Sequence, residues 1–174
     1  MRAFIAVKIP EDLKKNLVAL QEEIRKDFPK EIKFAEPENI HITLKFFDNI
    51  NEGKAEKIKN AIAALSFDSF KAKCVGVGAF PNEKFIRVVW AGAESGGKLE
   101  SLVDELNRNL SELGFTPDQF SSHATLGRVR RHIDFSKEIE KFKGKEFGEF
   151  EISKESIVLK RSRLTPEGPI YTDL

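Results

Sequence analysis

Two of the three histidines in the chain open the same four residues, His41-Ile42-Thr43-Leu44 and His123-Ala124-Thr125-Leu126. On a β-strand, residues i and i+2 project to one face. Each tetrad therefore presents an imidazole and a hydroxyl together, while Ile42, Leu44, Ala124 and Leu126 anchor the opposite, apolar face. Two imidazoles of ordinary pKa near 6.5 can share acid–base work at neutral pH, one neutral and one charged. The neutral ring takes a proton from an attacking oxygen while the charged ring gives one to the leaving oxygen. The hydroxyls of Thr43 and Thr125 can donate to phosphoryl oxygens, where charge accumulates in the transition state.

That set of groups requires neither a metal nor a nucleotide cofactor. A zinc site wants a third and usually a fourth ligand. The remaining histidine, His132, sits among arginines and reads as a surface residue, and Cys74 is the sole cysteine. No G-x-S-x-G elbow, Walker loop or dinucleotide glycine loop occurs.

The elements that must position the tetrads alternate in kind. Residues 2–9 read as a strand. Residues 11–28 read as a helix, with Leu13, Leu17, Leu20 and Ile24 at helical spacing. A strand covers 39–47, and Asn51 can cap a helix running to about Leu65. Strands at 68–80 and 84–91 follow, then a helix over 97–113 closed by Gly114. The chain finishes with a strand at 122–129, a short helix from Ser136, a strand pair within 146–164 and a last strand near Tyr171.

His123 follows His41 by 82 residues, and the same shift superposes much else. Leu17 falls on Leu99, Leu20 on Leu102, Ile24 on Leu106 and Phe28 on Leu110. Phe70 falls on Ile152, Val75 on Ile157 and Val77 on Leu159. One shift that aligns helix faces, strands and both tetrads points to an internal duplication, with pseudo-repeats at about 2–80 and 84–162. The expected fold is α+β: a single two-lobed domain over 1–174, with two antiparallel sheets related by a pseudo-twofold, helices outside and a central cleft where the tetrads meet.

Composition sets outer bounds. Lys+Arg number 29 and Asp+Glu 28, a net charge of +1. No global field attracts a polyanion, so any nucleic acid must be held by a local patch. Two basic clusters qualify, Arg128, Arg130 and Arg131, then Lys160, Arg161 and Arg163, expected in neighbouring parts of one lobe. Phe46, Phe80, Trp90 and Tyr171 are candidate stacking surfaces for a base, although alternation from His41 assigns Phe46 to the core. The opening MRAFIAVKI is too short for a signal peptide and no apolar run spans a bilayer, so a cytoplasmic protein without a membrane partner is expected. The Lys and Glu richness with one Met and one Cys also fits a thermophile.

The tetrads, together with RAFIAVKIP, VGVGAFPNEKFIRVVWAG and LTPEGPIY, resemble the 2H phosphoesterase superfamily, and within it the archaeal and bacterial RNA 2',3'-cyclic phosphodiesterases, also called 2'-5' RNA ligases. The resemblance runs essentially end to end. It implies a metal-independent, cofactor-free monomer acting in RNA processing on RNA ends that carry a 2',3'-cyclic phosphate, tRNA fragments among them. The product would be a 2'-phosphomonoester, and the same histidines would join such an end to a 5'-hydroxyl. It further implies that His41 is the proton donor and His123 the proton acceptor, a distinction the near-symmetric halves do not themselves make. Thr43 and Thr125 would bind phosphoryl oxygens, with Arg128 beside them. Strict alternation sets Arg128 on the face opposite His123, so a bulge or a strand end is needed for it to reach the phosphate. Two rival readings share these residues: an enzyme for a small cyclic-phosphate nucleotide, and a non-catalytic module that binds RNA ends.

Overall fold

The computed structural model describes all 174 residues, Met1–Leu174. The elements run β1 (Arg2–Lys8), α1 (Glu11–Asp27), β2 (Ile32–Phe34), β3 (His41–Phe47), α2 (Glu52–Ala63), β4 (Phe70–Pro81), β5 (Ile86–Glu94), α3 (Lys98–Ser111), β6 (His123–Val129), α4 (Ser136–Lys141), β7 (Glu146–Ile152), β8 (Ile157–Thr165) and β9 (Gly168–Asp173), with short 3-10 turns at Pro37–Asn39 and Lys154–Ser156. The expected elements are all present. Asn51 caps α2 by accepting from the Lys54 amide at 2.8 Å. Gly114 takes the left-handed conformation, φ +84°, that turns the chain away from α3.

The strands form one antiparallel sheet of order β7-β4-β5-β6-β3-β1-β8-β9, with β2 added beside β6. Its two halves, β6-β5-β4-β7 and β3-β1-β8-β9, are the two lobes. They join at the centre through a single register pair, Ile42 opposite Ala124. Those residues are 82 apart, so the pseudo-twofold passes between them. The tetrads consequently lie side by side on neighbouring central strands. β7 and β8, expected as a pair, do not pair with each other. β7 lies on β4 and β8 on β1, at opposite ends of the sheet. The 82-residue shift carries β4 onto β8, yet β4 pairs with β5 and β8 with β1. Each half of the sequence thus sends its late strand into the lobe of the other.

The helices cover one face. Leu17, Leu20 and Ile24 of α1 and their counterparts Leu99, Leu102 and Leu106 of α3 are buried, with Ile5, Val7, Ile42, Leu44, Ala124 and Leu126 from the sheet, in one core cluster. Each fully buried Leu or Ile stabilises the fold by about 1.5–3 kcal/mol, and that sum holds the central strands in place. The opposite face is concave. The β8–β9 hairpin reaches back across it to the far side of β3: Asn39 Nδ2 donates to the Pro169 carbonyl at 3.1 Å and Lys33 Nζ to that of Glu167 at 3.2 Å. Two strands, β1 and β8, separate β9 from β3 in the sheet, and β2 lies beyond on β6, so the contacts from Asn39 and Lys33 require a curled sheet. No helix is long and apolar enough to cross a membrane.

Candidate active site

Both tetrads end in a bulge. Between β1 and β3, Ile5 faces Lys45 and Ala6 faces Thr43, which leaves Leu44 unopposed. Between β5 and β6, Val89 faces Gly127 and Trp90 faces Thr125, which leaves Leu126 unopposed. The two leucines are pseudo-equivalent. An extra residue reverses the alternation that follows it, so the fifth residue after each histidine turns to the concave face. This brings Arg128 to the groove that His41, Thr43 and Thr125 line. It also overturns the assignment of Phe46 to the core: Phe46 is 47 % exposed and lines the same groove.

The residue between bulge and station differs in the two halves. Gly127 sits where a Cβ would meet Ile32 Cγ2 at 2.7 Å and the Lys33 carbonyl at 3.0 Å. The missing side chain is what lets β2 pair with the end of β6. Its counterpart Lys45 is buried and donates to the Thr116 carbonyl at 2.7 Å and to Asp118 at 2.9 Å.

The imidazoles are held alike. His41 Nδ1 lies 2.7 Å from the Asn39 carbonyl and His123 Nδ1 lies 2.8 Å from that of Ser121, two residues upstream in each case. A carbonyl only accepts, so each Nδ1 carries hydrogen and each Nε2 is the working nitrogen, an assignment made from the hydrogen bonds. His41 Nε2 is 2.9 Å from Thr43 Oγ1. The His41 ring stacks on Phe4 at 4.7 Å and meets the edge of Tyr171 at 5.5 Å. His123 meets Phe80 edge-on at 4.8 Å, with Trp90 at 6.0 Å.

Burial pulls the His41 pKa down to about 4; the Asn39 carbonyl opposes it, and the charges of Lys160, Lys14 and His123 add to it. His123 is lowered as well, by burial against the opposing Ser121 carbonyl. Both rings are therefore neutral at pH 7.

The groove has a volume of about 640 Å³; His41, Thr43, Thr125, Arg128, Lys33 and Tyr171 are among its lining residues. His123 does not line it; it lies on β6, the strand beside that of His41. The basic clusters do not share a lobe, because β6 and β8 belong to different halves of the sheet. Lys160 is paired with Asp173. His132 is exposed beyond β6. Nowhere do three or more His, Cys, Asp or Glu side chains come together as a metal-ligand group. Phe4 and the Asn39 and Ser121 carbonyls went unmarked in the sequence. RAFIAV is apolar on both faces and hides Phe4, and a backbone carbonyl has no residue signature.

A curled, pseudo-twofold antiparallel sheet with paired His-x-Thr motifs on its central strands is the arrangement that defines the 2H phosphoesterases. The family model of the LigT-like phosphoesterases matches residues 7–90 and again 92–171. The chain belongs to that family. Proteins described as RNA 2',3'-cyclic phosphodiesterase are similar throughout: that of Methanocaldococcus jannaschii is 42 % identical over 98 % of this chain and 96 % of its own, and that of Methanothermobacter thermautotrophicus is 38 % identical over 100 % and 96 %. Among solved structures, TT0787 of Thermus thermophilus superposes with a TM-score of 0.83 at 30 % identity, covering 100 % of this chain and 95 % of that one. E. coli LigT in its apo form shares the fold, with a TM-score of 0.76 at 19 % identity over 99 % and 94 %.

Proposed function

We propose that the protein is an RNA 2',3'-cyclic phosphodiesterase that leaves a 2'-phosphomonoester, with His41 as proton donor and His123 as proton acceptor. Water attacks phosphorus and gives a proton to His123 Nε2. The bond from phosphorus to the 3'-oxygen breaks, and that oxygen takes the proton from His41 Nε2. One water is consumed, and the two rings exchange their protonation states and reset through solvent. Thr43, Thr125 and Arg128 hold the phosphoryl oxygens. Thr43 Oγ1 lies against His41 Nε2, so a phosphate that takes over the hydroxyl frees the nitrogen.

The observation that carries this reading is the matched presentation of the rings. Two rings on adjacent strands, each held by a carbonyl on Nδ1, leave their Nε2 atoms for one to take and the other to give a proton. A phosphodiester anion beside His41 favours its charged form, which offsets the downward pull of burial and loads the donor when substrate binds. The chemistry closes on protein groups alone, so it is metal-independent. With a 5'-hydroxyl in place of water, the same proton transfers in the same sense would form a 2'-5' bond: the hydroxyl gives its proton to His123 and the departing 3'-oxygen takes one from His41.

The test is turnover of an oligonucleotide ending in a 2',3'-cyclic phosphate, in EDTA, with the product isomer identified by 31P NMR. A 2'-phosphate end is expected. Binding without turnover would make the protein an end-binding module, and turnover confined to a cyclic mononucleotide would move the substrate to small molecules.

A further inference from the structure

Each candidate histidine is edged by one aromatic ring, and the two rings differ by a hydroxyl. Phe80 packs against His123 at 4.8 Å and an interplanar angle of 86°. Tyr171 packs against His41 at 5.5 Å and 80°. On the His123 side, packing alone is served by phenylalanine, so the Tyr171 hydroxyl is surplus to packing. Tyr171 comes from β9, which lies outside the duplicated segments and so marks the His41 side alone.

The surroundings of that hydroxyl suit an anion. Tyr171 is half-buried and lines the groove together with Thr43, Thr125 and Arg128. Burial pushes the phenol pKa up, the nearby Arg128 and Arg2 charges oppose it, and no protein group hydrogen-bonds the hydroxyl. A phenol with no protein partner is free to donate to an acceptor that enters the groove. The hairpin that carries it is tied down from across the groove by Asn39 and Lys33, so its position is fixed before anything binds.

We infer that Tyr171 is a substrate-binding residue, its phenol donating a hydrogen bond to a phosphoryl oxygen while its ring packs against the His41 imidazole. This rests on the phosphodiesterase reading above. The two roles are separable, because Tyr171→Phe removes the donor and keeps the ring.

The experiment compares wild type, Tyr171→Phe and Tyr171→Ala in kcat/KM for a cyclic-phosphate end, in the Kd of a nucleoside 2'-phosphate measured by calorimetry, and in Tm. Tyr171→Phe should lower kcat/KM and weaken the 2'-phosphate by roughly 10- to 100-fold each, the usual worth of a hydrogen bond to a charged group, with Tm unchanged. Tyr171→Ala should lose as much affinity and in addition shift the pH profile that His41 governs. Tyr171 is the single tyrosine in the chain, so its 13Cζ resonance reports on the phenol alone and should move on titration with the 2'-phosphate. Wild-type affinity and turnover in Tyr171→Phe, or a 13Cζ resonance unmoved at saturation, would overturn the inference. Failure of the wild type to hydrolyse the cyclic end would instead sink the phosphodiesterase reading, while the 2'-phosphate affinities of the variants would still test the phenol.

Discussion

Phe46 and Arg128 occupy one station in two copies: each follows its histidine by five residues and its bulged leucine by two, and each lines the same groove. One copy offers an exposed ring and the other a guanidinium. The shared bulge is what makes both accessible, and the difference between them gives a symmetric pair of strands an asymmetric ligand preference.

Phe46→Ala should therefore raise KM with little change in kcat, by roughly 5- to 100-fold, the range for one base stacked on an aromatic side chain. The loss should vanish for an end whose last sugar lacks a base. Steady-state kinetics on paired normal and abasic ends measures it, and an equal loss on both would exclude stacking.

His41→Ala and His123→Ala should each cut turnover by about 10^2- to 10^4-fold, the usual contribution of a positioned acid or base. The double variant should be little worse than either single one, because the rings act as a unit. Near-normal rates in either single variant, measured in single-turnover experiments, would contradict the paired mechanism.

The pH profile follows from the direction of both shifts. Both imidazoles sit below their ordinary value, His41 at about 4. The profile of kcat/KM reports the free enzyme, so its bell should be centred on the acid side of 6.5. Bound phosphate raises the donor, so the alkaline limb of kcat should lie at higher pH than that of kcat/KM. A bell in kcat/KM centred at or above pH 7 would show that the free site does not hold its donor as described.

Stability carries the same sign. The unfolded chain binds a proton at histidine near pH 6.5 that folded His41 refuses until about 4. Its contribution is complete above 6.5 and is lost as pH falls toward 4. Urea midpoints should decline between pH 6.5 and 5 in the wild type, and less steeply in His41→Gln, before the carboxylates begin to titrate.

Gly127→Ala tests the seat of β2. The added Cβ meets Ile32 Cγ2 at 2.7 Å, the Lys33 carbonyl at 3.0 Å and Phe34 Cα at 3.2 Å. Two of those atoms are backbone and cannot rotate away, so a loss of roughly 1–3 kcal/mol is expected. Because Lys33 and Phe34 also line the groove, KM should rise with it. Chemical denaturation together with KM measures both, and an unchanged midpoint would show that β2 yields freely.

The tetrads, the helix faces and their 82-residue repeat were legible because each is a local pattern of side-chain types. The bulges were not. HITLKFF alternates cleanly on paper, and nothing in its letters says that Leu44 is passed over by β1, so Phe46 read as core and Arg128 as turned away. β2 escaped because the three residues Ile32–Phe34 are too few to show a period. The partners of β7 and β8 escaped because pairing is decided by where the chain returns after the turn at Lys154–Ser156, and strand periodicity is the same whichever neighbour a strand finds.

The crossing of β4 and β8 locks the two lobes together. Ile42 and Ala124, which alone join the lobes at the centre, are counterparts of each other. Each half also completes its sheet with a strand drawn from its twin. Because the late strand of each half is built into the sheet of the other, neither half of the sequence can close its lobe by itself. Pulling one half away would strip a strand from both lobes, so the ring at one station and the cation at the other are held to a single groove.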